Sequence, residues 1–347
     1  MPGAPREKNN YVNRRQRWFG KKQSWRIPLS LVVLGFIVFV FALIPPPIQW
    51  DETDFPQINF DLTQIPTKTP IPHPTDIHGG RIVFTCTRGD FNQLCMINAD
   101  GSGLKQITSH NTHDYYPVFT PPGNAIVYAS LDGGSFDLFM MILKDGKVFR
   151  LTESIGNAFS PSLSPDGQRI VFLNKPEKLP ISLWIVESTG SNPHQIYSGR
   201  KDIVAADWSP LGDKIAFAMA ADNDYSYQIF ILEADQPNET PRRISLPMND
   251  VGGSLDWSPD SRLLLFYAGP VNGRNVYQLE VESGTITQLT FGGNNAAASY
   301  SPDGQYIVYN SLRNNNQADL YIMRSDGHST RQLTSQPEPD WQPDWAP

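Results

Sequence analysis

Cys86 and Cys95 are the only cysteines in the 347 residues, and they flank a turn near Arg88-Gly89-Asp90. If the hairpin is symmetric about Asp90-Phe91, the two residues stand directly opposite. Cross-strand neighbours bring their Cβ atoms close enough for a disulfide, and an exported domain meets oxidising conditions. Two buried thiols are the plain alternative. A metal or redox pair lacks further Cys or His partners at zinc-like spacing. The six histidines are His73, His78, His110, His113, His194 and His328, and no pair has the spacing of a helical zinc site. His110 and His113 flank a loop with Asp114, which an ordinary solvated loop explains without a cation. No metal is expected.

There is no Gly-x-Ser-x-Gly elbow to present a hydrolytic serine, no phosphate loop and no dinucleotide fingerprint, so nothing in the chain requires a cofactor. Ala221-Asp222-Asn223-Asp224-Tyr225-Ser226-Tyr227 lacks the carboxylate spacing of an EF-hand and reads as surface. Asn238-Glu239-Thr240 fits a glycosylation sequon. The remaining chemical candidates are single polar residues shortly before a recurring proline: His113, Asp114, Asn157, Asp202, Asp250, Asn294, Asn295 and Asp340. Converging on one face, they would form a polar rim that contacts a ligand. Backbone preference supplies a plainer account, because Asp and Asn favour turns for local reasons.

The elements that would position such a rim follow from a repeat with a period of 43–49 residues. Its core is Phe119-Thr120-Pro121-Pro122-Gly123, Leu163-Ser164-Pro165-Asp166-Gly167, Trp208-Ser209-Pro210-Leu211-Gly212, Trp257-Ser258-Pro259-Asp260-Ser261 and Tyr300-Ser301-Pro302-Asp303-Gly304. Proline fixes φ in a type I turn and glycine accepts the positive φ that follows, so two strands meet in a tight hairpin. After each turn come Ile126/Tyr128, Ile170/Phe172, Ile215/Phe217, Leu264/Phe266 and Ile307/Tyr309, and a spacing of two puts each pair on one face of a strand. A third strand (Leu138-Phe139, Leu183-Trp184, Ile229-Phe230, Val276-Tyr277, Leu320-Tyr321) and a fourth (Arg150-Leu151-Thr152 through Gln332-Leu333-Thr334) complete each block.

Four strands per block is the signature of propeller blades. Residues 81–108 hold a second, third and fourth strand but no first, whereas Trp345-Ala346-Pro347 repeats the end of a first strand. The expectation is therefore an all-β, six-bladed β-propeller of four-stranded blades in which residues 340–347 complete the blade begun at residue 81 and hide two sheet edges. With the Ser-Pro-Asp-Gly turns, Asp319-Leu320-Tyr321-Ile322-Met323 and Asn98-Ala99-Asp100-Gly101-Ser102 resemble the propeller repeats of the TolB family. The resemblance covers about residues 80–347. It implies an envelope setting, since TolB is the soluble periplasmic partner of the lipoprotein Pal. Two departures are expected: no α/β domain before the propeller, and a membrane helix where TolB has a cleaved signal peptide.

Residues 1–26 carry eight basic residues against the single acid Glu7. Residues 27–44 are eighteen uncharged, mainly Leu, Val, Ile and Phe positions, ended by Pro45-Pro46-Pro47. A bilayer needs about 17–25 residues of helix, so this segment reads as one transmembrane helix acting as a signal anchor, with the basic arm cytoplasmic. A cleaved signal peptide is the competing reading, and a buried core helix a third. Residues 45–80 contain eight prolines and read as an extended linker, reaching up to roughly 100 Å at about 3.1 Å per residue. The domains expected are thus 1–26, 27–44, 45–80 and 81–347, in a single-pass protein of the cell membrane with its propeller extracytoplasmic. Beyond residue 26 there remain 20 basic against 34 acidic residues, a balance that repels nucleic acid.

The function expected is a protein-binding or cell-envelope-binding scaffold whose partner is an envelope protein or a cell-wall polymer. The alternative is an extracytoplasmic enzyme acting on polysaccharide or peptide at the channel, because propeller active sites assemble from single residues on several blades. A sensory ectodomain is a further reading.

Overall fold

The computed structural model describes residues 80–346, apart from 221–226, 237–239, 245, 249 and 315. The basic arm, the expected membrane helix, the linker as far as residue 79, most of the 221–227 loop and the sequon at Asn238 lie outside the described residues. Among the described residues no helix is long and apolar enough to cross a membrane. They form twenty-four strands in six four-stranded antiparallel sheets.

Each sheet is a blade, and from the inside outwards five of them follow the chain. The second blade shows the pattern: Asp114–Phe119, Ala125–Asp132, Ser135–Ile142 and Val148–Arg150. The third runs from Asn157 to Tyr197, the fourth from Ile203 to Ile244, the fifth from Leu255 to Gln288 and the sixth from Asn295 to Gln332. The first blade is composite. Its inner strand, Asp340–Trp345, pairs antiparallel with Arg81–Arg88, setting Trp345 against Ile82 and Asp340 against Cys86. Ala346 N–H then donates to Arg81 O at 2.7 Å. The ring closes through the C-terminal strand as the repeat requires.

Every second strand is buried on both faces, which explains its near-continuous apolar run. The two-residue side-chain period assigns those faces to different neighbours. Ile126 and Tyr128 pack with Val83 and Leu94 of the first blade, while Val127 and Ala129 join Phe159, Ile170 and Phe172 of the third. Ile82 and Phe84 meet Val308 and Leu320 of the sixth blade across the closing seam, where Trp345 also packs. No blade has a core of its own, so the six stand together.

The turns after the inner strands behave as their chemistry dictates. Gly167 N–H donates to Ser164 O and Gly304 N–H to Ser301 O, both at 2.8 Å, with glycine φ of 68° and 69°. Ser301 Oγ donates to Asp303 Oδ1 at 2.6 Å and Ser258 Oγ to Asp260 Oδ1 at 2.6 Å. The chain enters the ring on this same turn face: the Arg81 guanidinium donates to Gly123 O at 2.6 Å. The loops joining second to third strands, and outer strands to the next blade, lie at the opposite face.

One local expectation is corrected. The first-blade hairpin turns at Gly89-Asp90 rather than Asp90-Phe91, pairing Arg88 with Phe91, Cys86 with Gln93 and Phe84 with Cys95. Gly89, at φ 59°, suits the first position of a two-residue hairpin turn. Cys86 and Cys95 are therefore diagonal rather than directly opposite. Their Cα atoms are 5.8 Å apart and the sulfurs are bonded.

Candidate functional site

The six inner strands surround a cavity of about 270 Å³ on the ring axis. Its walls include Tyr116, Phe159, Tyr227 and Tyr267 among aliphatic residues, and its carboxyls are Asp202, Asp207, Asp256 and Asp344. Bulges in the inner strands shape the lining. Pairing slips by one step between Tyr115 and Val118, between Phe159 and Ser162, and between Ala296 and Ser299. At these points Tyr116, Ser160 and Ala297 take positive φ of 53°, 52° and 47°, and Gln342 does so at 50° in the closing strand. A bulge bends its strand and redirects side chains, which here turn toward the axis. Gln342 Oε1 accepts from Tyr116 N–H at 3.1 Å and from the Thr85 hydroxyl at 3.0 Å.

Near the turn face, side chains at equivalent inner-strand positions clasp the amides of neighbouring blades. Ser162 Oγ accepts from Trp208 N–H at 3.0 Å, Asp207 Oδ2 from Trp257 N–H at 2.9 Å, and Asp256 Oδ2 from Tyr300 N–H at 2.8 Å. Ser299 Oγ accepts from Trp345 N–H at 3.4 Å and Asp344 Oδ2 from Phe119 N–H at 2.8 Å. Ser162 Oγ also donates to Asp207 Oδ1 at 2.6 Å. The second-blade position is Val118, which has no side-chain acceptor, so the girdle is interrupted between the second and third blades. Burial pushes Asp207 and Asp344 up to about 7. Burial, reinforced by the charge of Asp207, holds Asp256 well above the usual carboxylate range.

The residues expected to form the rim stand at, or up to five residues before, the first positions of the inner strands, each with its own surroundings. Asp202 lines the cavity while its Oδ1 accepts from Ile181 N–H at 2.7 Å and meets Lys175 Nζ at 3.4 Å. Asn157 Oδ1 accepts from Phe136 N–H of the preceding blade at 3.0 Å. Asp114 is fully buried, bonded to His110 Nε2 at 3.1 Å, and burial raises its pKa. Asn295 is likewise buried, with its Nδ2 donating to Asn275 Oδ1 at 3.3 Å. Asp340 is buried against Arg88 NH1 at 3.7 Å, and burial pushes it up to about 7. His113 Nδ1 accepts from Asn92 N–H at 3.2 Å and its ring stacks on Tyr115. Asp250 and Asn294 take positive φ of 58° and 50° in their turns.

Of these eight residues only Asp202 lines the cavity among the described residues. Most of the others tie successive blades together. Asp207, Asp256 and Asp344 escaped the sequence reading, although each precedes the tryptophan that leads its block: Asp207-Trp208-Ser209-Pro210, Asp256-Trp257-Ser258-Pro259 and Asp344-Trp345-Ala346-Pro347.

In the loops of the loop face Phe291 is 78% exposed, Leu179 56% and Val271 42%, while Leu211 stands in solvent in a turn of the opposite face and Phe149 and Val148 on an outer strand. With this ring, girdle and loop face in view, the sequence matches the TolB beta propeller domain over residues 72–203 and 189–347. The chain belongs to the TolB β-propeller family. An uncharacterized protein of Agrobacterium fabrum is 27% identical over 255 residues, covering 70% of this chain and 76% of that one. The Tol-Pal system protein TolB of Francisella tularensis is 24% identical over 246 residues, 69% of this chain and 55% of the relative. This TolB-family chain thus spans about half the length of that relative. Crystalline TolB from Acinetobacter baumannii superposes with a TM-score of 0.68 at 24% identity, over 77% of this chain and 67% of that one. Between them the likeness is one of fold.

Proposed function

We propose that this chain is a membrane-tethered, extracytoplasmic scaffold of TolB type that takes an envelope protein on the loop-bearing face of its propeller. The observation carrying this reading is that Leu179, Val271 and Phe291, three large apolar side chains, are left in water on the loops of that face. The family supplies the setting, because the curated relatives include components of the Tol-Pal system. Residues 27–44 supply the anchor, and a chain that joins the ring on the turn face leaves the loop face free for a partner. An enzyme acting on polysaccharide or peptide gains no comparable support: Asp207, Asp256 and Asp344 are each engaged with a backbone amide that holds the ring.

The reading is tested by proximity crosslinking of the full-length, membrane-bound protein in its own cells, comparing the natural chain with a Leu179→Ser, Phe291→Ser double variant. One envelope protein is expected to crosslink reproducibly and to be lost from the double variant, whose melting temperature stays unchanged because both side chains are exposed. Capture that is equal in the two proteins rejects the loop face. Retention of cell-wall glycan in place of protein makes the polymer the partner.

A further inference from the structure

A charge is buried in the fifth blade at a place where the other blades bury none. Arg274 stands two residues before Val276, and the equivalent places hold Asn92, Phe136, Ile181, Tyr227 and Ala318. It is 4% exposed, with its guanidinium over the Tyr267 ring at 5.4 Å from the centroid. Asp250, exposed in the loop that leads to the fifth blade, attracts it. Yet among the described residues the guanidinium makes neither an ion pair nor a hydrogen bond, although every one of its nitrogens is a donor. Packing alone does not call for the charge, since uncharged residues fill this place elsewhere, and a buried cation without an acceptor is costly.

Arg274 belongs to the seam with the sixth blade. Its stacking partner Tyr267 pairs with Val276, Val276 packs with Ile307 and Tyr309 of the sixth blade, and Arg274 O accepts from Asn295 N–H at 2.8 Å. A second arginine reaches the same seam from the other side. Arg313 lies over Tyr321, a member of that same cluster, at 4.6 Å, and its Nη2 donates to Asn295 Oδ1 at 3.3 Å and to the Tyr309 hydroxyl at 2.9 Å. It too has no carboxylate partner among the described residues. Asn295 thus joins the two arginines, through its N–H to one and its side-chain oxygen to the other. The connector leading to Asn295 adds donors: Gly292, Gly293 and Asn294 take φ of 71°, 86° and 50°, and their N–H groups meet no acceptor among the described residues.

Two guanidiniums without counter-ions, beside amides without acceptors, suit an oxyanion. A carboxylate offers a single charge and oxygens in one plane. A phosphate group offers more charge and oxygens in several directions, which matches forks arriving from two sides. We propose that the seam between the fifth and sixth blades, at the loop face, is a phosphate-binding site held by Arg274 and Arg313 with the amides of Gly292, Gly293 and Asn294. The site lies beside the channel and not in it, since neither arginine lines the central cavity. Two sources carry this chemistry, a soluble phosphate or phosphomonoester and the phosphodiester of a lipid headgroup.

The test titrates the full-length protein by calorimetry, in phosphate-free buffer at fixed ionic strength, with inorganic phosphate, with glycerophosphoglycerol as a soluble headgroup diester, and with acetate. A phosphate compound is expected to bind at one saturable site, and acetate about ten-fold more weakly. Tighter binding of inorganic phosphate makes the natural ligand a soluble phosphate, and tighter binding of the diester makes it a headgroup. Arg274→Gln is expected to weaken phosphate binding by about ten-fold or more, the scale of a charge-assisted hydrogen bond. Arg313→Gln changes an exposed residue, so the ring stays folded while phosphate binding weakens, and this variant decides the matter should Arg274→Gln impair folding. In the natural chain phosphate raises the melting temperature, and in Arg313→Gln the rise is diminished. Absence of saturable binding by either phosphate compound, binding no tighter than that of acetate, or phosphate affinity that survives both substitutions overturns the proposal.

Discussion

An aspartate means different things at different points of one blade. At Asp166 and Asp260 it caps a turn, and the hydroxyls of Ser164 and Ser258 hold its carboxyl below the usual range. At Asp340 and Asp344, on the closing strand, burial does the opposite and pushes both up to about 7. The consequence for stability has a definite sign. An acid whose pKa is raised on folding makes the folded chain bind more protons than the unfolded one between about pH 4 and 7, so stability falls as pH rises through that window. Melting temperature is expected to be lower at pH 8 than at pH 5.5, and Asp340→Asn, neutral throughout, to diminish the difference. Calorimetric melting across that range checks this, and a melting temperature that climbs toward pH 8 contradicts it. Gly304 makes a backbone demand instead. Its φ of 69° is the left-handed region, and a Cβ there meets Pro259 only at 3.5 Å, so conformation and not crowding sets the cost. Gly304→Ala is expected to destabilise by about 1–2 kcal/mol, measured by chemical denaturation.

The strands repeat a single plan, and its departures carry the information. Outer strands are short, two residues at Lys105–Gln106 and three at Val148–Arg150. The threonines that follow extend the pairing through their hydroxyls: Leu94 N–H donates to Thr108 Oγ1 at 2.8 Å and Leu138 N–H to Thr152 Oγ1 at 2.9 Å. The closing strand Asp340–Trp345 does most for the ring. It covers the edge of Arg81–Arg88, sets Trp345 in the seam with the sixth blade, and lends Gln342 and Asp344 to amides of the second. Deleting 340–347 is expected to abolish cooperative unfolding and produce aggregates, because a buried strand edge and two apolar interfaces are opened together. Circular dichroism melting with size-exclusion chromatography decides this, and a truncated chain that melts like the intact one refutes it.

At the scale of the molecule, the ring has a turn face where the chain enters at residue 81 and a loop face whose loops carry Leu179, Val271 and Phe291. Six blades, their four strands and the closure at residue 340 were legible because they rest on local chemistry: turn residues at fixed offsets and an alternation of two along each strand. The hairpin at Cys86 and Cys95 lies one position from where its sequence suggests, since the cysteines point to a symmetric centre and Gly89 sets the turn. The site was less legible. Asp114, Asn157 and Asp340 carry the residue types of a rim, yet Asp114 is bound to His110 of the connector from the first blade, Asn157 to an amide of the second, and Asp340 is buried against Arg88 within its own blade, while Asp207, Asp256 and Asp344 look like turn neighbours and stand in the channel. Which role an acid plays depends on the register between blades far apart in sequence and on bulges at residues such as Tyr116 and Ala297. The positive φ of these two is imposed by packing and not by their own preference. The repeat by itself therefore determined the ring, through backbone preferences acting over a few residues, and only the closed tertiary structure decided which side chains face the axis.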